Sequence, residues 1–180
     1  MSSERLDLES LASRTGRGTG KMGSAAADRS NLQRKDPLMS TTRTAHAHWE
    51  GSLIQGQGQV TLDSSGLGTY DVPWASRAEQ ANGRTSPEEL IAAAHSTCFS
   101  MALSHALAGD GHAPQAIDTR ADVDFQPGEG ITGILLTVRG QVEGLTNDEF
   151  VEFAETAKKT CPVSQALTGT TITLDAALAD

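Results

Sequence analysis

The stretch TSPEELIAAAHSTCFSMAL, residues 85 to 103, constrains the fold of this chain more than any other. Ser86 is placed to cap a helix, and Pro87 falls at the first helical position, where a missing N–H costs nothing. Glu89 stands where its carboxylate reaches back to the Ser86 amide, the pattern of a capping box. Together they predict a helix from Pro87 to about Gly109 or Gly111, roughly 35 Å long. From Leu90 to Leu107 most of its faces are apolar or small. Such a helix is stable in water only when neighbours cover it on nearly every side, so the rest of the chain has to wrap it.

Ahead of the helix, residues 45 to 74 alternate between turn signals. AHAHWEG, GQVTLD, SSGLG and TYDVPW read as three short antiparallel strands joined by tight turns, followed by a polar loop over 75 to 85. Behind it, Ile117, Thr119, Ala121, Val123 and Phe125 share one face of a strand. QPGEG turns the chain, and Ile134, Leu136, Val138 and Val142 give the returning strand the same two-sided character, which predicts a long antiparallel hairpin. Thr146 with Glu149 forms a second capping box; Phe150, Phe153, Ala154 and Ala157 then line one stripe of a surface helix, with Lys158 and Lys159 toward its C-terminal pole. The closing ITLDAAL alternates again. The order is that of an α+β domain with antiparallel sheets around a long buried central helix. One modest amphipathic helix and short strands are little material to cover that helix all round, so an intertwined homodimer is expected.

Composition bounds the function. A net charge of −9 removes the usual electrostatic reason to expect nucleic acid or an anionic membrane as partner. No stretch approaches the roughly 18 apolar residues of a membrane span. The charge is uneven: residues 1 to 38 carry seven basic against five acidic side chains in a Ser- and Gly-rich segment without apolar period. That predicts a disordered N-terminal extension, with the folded domain over 39 to 180 and Met39 as its natural start. Two cysteines, no Cys-x-x-Cys and no leading apolar run predict a reducing, cytoplasmic setting with free thiols.

The cysteines lie in different surroundings. Cys161, just before Pro162, is expected to cap a short helix whose amides favour its thiolate. Cys98 lies mid-helix, where burial raises a thiol's pKa; it is inert packing unless a cation, Arg77 or Arg84 from the preceding loop, reaches it. His95, one turn before Cys98, reads as a general base, a metal ligand or a satisfied core histidine. His46 and His48 share a strand face, but a metal pair needs a third ligand, so no metal or cofactor is expected. Glu89 is explained by the capping box and Glu88 is not.

The segments AHWEG, TSPEELIAAAHSTCFSMAL, DTRADV, CPVSQAL and ITLDAAL resemble the osmotically inducible protein C family, the OsmC and Ohr peroxidases, over about Met39 to Leu178. The histidine three residues before the cysteine is similar to the OsmC branch. The resemblance implies a domain-wrapped homodimer with sites at the subunit interface. It also implies reduction of organic hydroperoxides by a peroxidatic Cys98 and a resolving Cys161, with Arg77 assisting and Glu88 orienting it, and Arg84 competing for the arginine role. In that mechanism Cys98 forms a sulfenic acid that condenses with Cys161, and an external dithiol, a lipoylated protein in the family, reduces the disulfide. Phe99 and Met101 are expected near an apolar pocket suited to bulky peroxides. The other classes open to these residues are a Cys98/His95 hydrolase and a non-enzymatic small-molecule binding protein. Straight helix separates Glu88 from Cys98 by about 15 Å and about 80° in azimuth, which predicts that Glu88 serves the site of the other chain.

Overall fold

Two three-stranded sheets and four helices succeed one another along residues 40–179, the part of the chain that the computed structural model describes. The expected disordered extension over 1–38 and the start at Met39 lie outside those residues. The strands β1 (His46–Glu50), β2 (Gln57–Thr61) and β3 (Thr69–Asp71) form the first sheet, antiparallel and in that order. The single turn α1 (Trp74–Ala78) occupies the start of the expected polar loop, held by the Ser76 hydroxyl, which donates to the carbonyls of Pro73 and Thr85. The long helix is α2 (Pro87–Gly109), followed by the hairpin β4 (Ala116–Gln126) and β5 (Gly130–Gln141), then α3 (Asn147–Thr160), α4 (Pro162–Ala166) and β6 (Ile172–Leu178).

The second sheet has the order β4-β5-β6. The hairpin pairs Ala116 with Gln141 through to Gln126 with Gly130, with an irregularity at Asp124/Phe125. The antiparallel pattern expected throughout holds for the first sheet and the hairpin, whereas β6 runs parallel to β5, pairing Ile134 with Ile172 and Gly140 with Leu178. The physical reason is the intervening crossover: α3 and α4 carry the chain back to the end where β5 began. Alternation along β5 turns Ile134, Leu136 and Val138 inward and leaves Leu135 exposed.

Both ends of α2 are built as its sequence dictates. The Ser86 hydroxyl accepts the Glu89 amide at 3.1 Å, with Pro87 at the first turn. The return arm of the expected box, from Glu89 to the Ser86 amide, is not among the hydrogen bonds of the described residues. At the far end the His112 amide donates to the Leu107 carbonyl and the Gly111 amide to that of Ala108, a Schellman closure with Gly111 at φ +89°. The second box forms in full, with Thr146 and Glu149 bonded in both directions.

One stripe of α2, His95, Phe99, Leu103 and Leu107, is fully buried. It packs on β4, β5 and α3, where Leu136, Val138, Phe150, Ala154 and Ala157 complete the core. Each large side chain in that cluster contributes about 2 kcal/mol of burial, and the Ser100 hydroxyl ties α2 to Thr119 of β4 at 2.8 Å. The rest of the helix is open within the single chain: Ala93, Ala94 and Thr97 are exposed, as is Met101 at 67%. The expectation of burial on nearly all sides is therefore met on one side only. By length and composition α2 also qualifies as a membrane span, which corrects the expectation that no stretch comes near one. In this fold, however, it is the core helix, carrying Glu88 and His95 in its buried stripe.

The tightest approach in the second sheet is at Gly140, where a Cβ would collide with the ring of fully buried Phe150. Gly140→Ala is expected to lower stability by about 1–3 kcal/mol. Gly109→Ala, in helical backbone facing open space, is expected to raise it by about 0.5–1 kcal/mol. Urea denaturation of the two variants checks both signs.

Candidate active site

Two clusters of chemically active side chains form, and α2 contributes to each. The first is the thiol pair. Cys161 lies between α3 and α4: its amide N–H donates to the Ala157 carbonyl at 2.8 Å and closes α3, and it occupies the N-cap position of α4, with Pro162 behind it. The residue before a proline avoids helical backbone, and Cys161 accordingly sits at φ −59°, ψ 122°. That kink turns its side chain into the core, where it is fully buried. Cys98, half-buried on α2, packs against the core cluster that holds Cys161, near enough for each thiol to shift the other's acidity, and both thiols are free.

The two sulfurs differ in acidity. Burial pushes the Cys98 thiol up, the Val163 amide pulls it down, and the bond to Cys161 raises it further, so its net direction is upward. Burial pushes Cys161 up as well, but the Ser164 amide, the thiol of Cys98, the Ser164 hydroxyl and the Val163 amide together outweigh it, and its net direction is downward. The downward direction at Cys161 agrees with its place just ahead of Pro162, where the next amides face the sulfur.

The second cluster is an arginine clamp at the start of α2. Arg77 of α1 donates Nε to Glu88 Oε1 at 2.9 Å. Its guanidinium carbon lies 4.1 Å over the Phe125 ring and 5.9 Å from that of Trp74, the two rings meeting edge to face. Glu88 is buried, with its second oxygen lacking a hydrogen-bond partner. The pairing is through a single bond, leaving the terminal amino groups of Arg77 without hydrogen-bond partners among the described residues. Arg77 also walls a mainly apolar cleft of about 510 Å³, lined by Trp49, Leu53, Val72, Trp74, Pro87 and Leu90, between the first sheet and α2. Arg84 is exposed and lines a separate polar groove with Glu50 and Asp71, away from Glu88.

The two clusters do not meet within one chain. α2 runs unbroken from Pro87 to Gly109, which keeps Glu88 about 15 Å along the axis from Cys98, and no cation acts on the Cys98 thiol among the described residues. Glu88 and Arg77 are bound to each other in the same chain. Phe99, expected beside a pocket, is a core residue, and Met101 is on the open side of α2.

The remaining candidates resolve simply. His46 contacts Asp63 and His48 contacts Glu50, both at the surface, and no cluster with metal-ligand chemistry exists among the described residues. His95 bonds Ser164 through Nε2 at 2.8 Å rather than Cys98, which leaves the hydrolase reading without its thiol–imidazole pair. Ser164, Phe125 and Trp74 were not singled out by sequence. The Cys-Pro-x-Ser spacing, which sets a hydroxyl on the first turn after a cap, was the available signal for Ser164; for the two rings, a contact between distant segments left none.

Comparison with known proteins follows the same lines. A family model described as OsmC-like protein matches residues 80–175. The chain is 42% identical over 140 residues to Peroxiredoxin OsmC of Escherichia coli (strain K12), covering 76% of this chain and 96% of that protein. It is 32% identical over 135 residues to the organic hydroperoxide resistance protein OhrA of Bacillus subtilis (strain 168), covering 74% and 91%. In three dimensions it resembles an organic hydroperoxide resistance protein from Elizabethkingia anophelis, with a TM-score of 0.61 and 26% identity over 78% of this chain and 100% of that one. With its long central helix, paired cysteines and α+β sheets, the chain belongs to the OsmC/Ohr family, on the OsmC branch.

Proposed function

We propose that this protein is a cysteine-based peroxidase that reduces organic hydroperoxides, and that the observation carrying this reading is the buried contact between Cys98 and Cys161. Two thiols brought together from positions 63 residues apart in a reducing setting are a redox pair rather than a structural brace. The names of its relatives, peroxiredoxin and organic hydroperoxide resistance protein, agree.

Cys98 is the peroxidatic residue because it is the partly exposed thiol, whereas Cys161 is sealed. Its thiolate attacks one peroxide oxygen in line with the O–O bond, the alcohol leaves, and the sulfenic acid on Cys98 condenses with Cys161 to a disulfide and water. An external dithiol, supplied by a lipoylated protein, returns both thiols.

A raised pKa on Cys98 needs a cation, and the described residues of one chain offer none there. The active site is therefore completed in a homodimer, where the Arg77–Glu88 clamp of one subunit approaches Cys98 of its partner. Three features support this. The free end of the Arg77 guanidinium opens toward an apolar cleft. The first sheet leaves Trp49 and Tyr70 exposed on strands that the rest of the chain hardly covers. The uncovered side of α2 carries exposed Met101. A second copy buries all of these at once, and the apolar cleft then suits a bulky peroxide.

Cys98→Ser is expected to abolish consumption of cumene hydroperoxide, and Cys161→Ser to permit a single turnover per site with a dimedone-trappable sulfenic acid on Cys98. Normal turnover by Cys98→Ser contradicts the assignment. The cross-subunit arrangement is checked by co-expressing a Cys98→Ser chain with a Glu88→Ala chain and isolating the mixed dimer. One site then holds both intact groups and activity is expected at about half the wild-type value. Activity no higher than that of an impaired Glu88→Ala homodimer contradicts it.

A further inference from the structure

A tryptophan and two glycines on the first sheet have no part in the reaction above, yet they shape the cleft beside Arg77. Trp49 of β1 and Gly58 of β2 are direct cross-strand partners. A Cβ on Gly58 would fall on the six-membered ring of Trp49, so the indole lies against bare backbone of β2. Its Nε1 donates to the Gly51 carbonyl at 3.1 Å, and a Cβ on Gly56 would stand 2.9 Å from that same nitrogen. Neither Gly56 nor Gly58 has a positive φ. What they supply is room for the ring rather than an unusual backbone.

Trp49 shares its sheet face with Ala47, Gly58 and Val60, and all four line the apolar cleft of about 510 Å³ that Arg77 also walls. Ala47, Gly58 and Val60 are short, so the indole is the feature that rises from this floor. The other tryptophan of the cleft, Trp74, is already engaged, edge to face with Phe125 and beside the Arg77 guanidinium. Trp49 has no aromatic partner among the described residues and is exposed. Its ring is thus anchored at one end, backed by a strand along its length, and uncovered by the rest of its own chain.

We propose that Trp49 is the specificity-determining wall of the peroxide cleft, an aromatic surface that receives the organic group of the hydroperoxide, and that Gly58 keeps the cleft open by letting the ring lie back against β2. The proposal rests on the peroxidase reading for its substrate. Arg77, with its terminal amino groups free, marks the polar end where the O–O bond belongs, and the hydrocarbon remainder extends along the apolar lining. An indole offers a large, rigid, mostly apolar surface. Held at Nε1 and supported from behind, it loses little freedom when a ligand packs on it. The class so favoured is a hydroperoxide bearing an aryl or similarly broad apolar group over one bearing a small alkyl group.

Cumene and tert-butyl hydroperoxide differ by a phenyl group in place of a methyl, so the ratio of their kcat/KM values isolates the apolar contact from the chemistry of the O–O bond. The parent is expected to favour cumene hydroperoxide. Trp49→Ala is expected to lower that ratio about tenfold, and Trp49→Phe, which keeps a ring over Gly58, to retain it within about threefold. Gly58→Ala displaces the indole into the cleft and is expected to lower the ratio as well. In a Trp49→Ala background the same change has no ring left to displace and is expected to alter the ratio by less than about twofold. That comparison separates the wall from a glycine needed only for folding. Calorimetric titration with cumyl alcohol, the unreactive product, is expected to give the same order of affinities. A ratio unchanged within about twofold in Trp49→Ala, or a Gly58→Ala effect that persists in full without the indole, overturns the proposal. Should Gly58→Ala fail to fold, Trp49→Ala and Trp49→Phe decide alone. A parent chain that consumes neither hydroperoxide contradicts the peroxidase reading instead, and the alcohol titration still judges the wall.

Discussion

Burial of a single stripe of α2 against β4, β5 and α3 is the interaction on which everything else in this molecule depends. Phe99, Leu103 and Leu107 anchor the helix to Leu136, Val138 and Phe150. Because side chains at i, i+4 and i+8 share a face, the same stripe brings His95 to Ser164 and sets Cys98 beside it, facing Cys161. The chemistry is thus mounted on rigid packing: a helix fixed at two capped ends, a parallel strand β6 that returns the chain, and the kink at Cys161 that turns a thiol inward. The half of α2 left uncovered is the counterpart of that arrangement, since the described residues cover one side only.

A straight helix also divides the chemistry. Glu88 on its first turn holds Arg77, and Cys98 lies nearly three turns further on. A kinked helix would have let one chain assemble both halves, but α2 has no proline or glycine between Pro87 and Gly109 and runs unbroken. The proposed homodimer resolves the separation by facing each clamp toward the other subunit's thiol. It also explains why Glu88 is buried with a single ion-pair bond and an unpartnered second oxygen in the isolated chain: burying a carboxylate is costly unless its environment completes the pairing.

Much of this was legible in the sequence because local chemistry dictates it. Ser86-Pro87, Thr146 with Glu149, and Cys161-Pro162 each fixed a helix end, and period-two alternation located all the strands except for their partners. Pairing direction was not legible: Ile172 to Leu178 alternates identically whether β6 runs parallel or antiparallel, and only the crossover through α3 and α4 decides. The burial of α2 was misjudged because apolar composition states a need for cover without saying which chain meets it. Within the site, Arg77 was favoured over Arg84 by resemblance, whereas its fixing between Glu88 and Phe125 depends on a contact between α1 and β4 that no local pattern encodes. Ser164 had a local signal in the Cys-Pro-x-Ser spacing, but its partner His95 lies 69 residues earlier, and no local pattern encodes that contact.

Counting free thiols before and after one equivalent of an organic hydroperoxide, without added reductant, is the most direct measurement of the central claim. The account predicts that both thiols of every chain are lost and that peptide mapping finds one Cys98–Cys161 bond within the chain. Thiols that remain titratable after the peroxide has been offered, or a single loss at Cys161 with Cys98 intact, would contradict it.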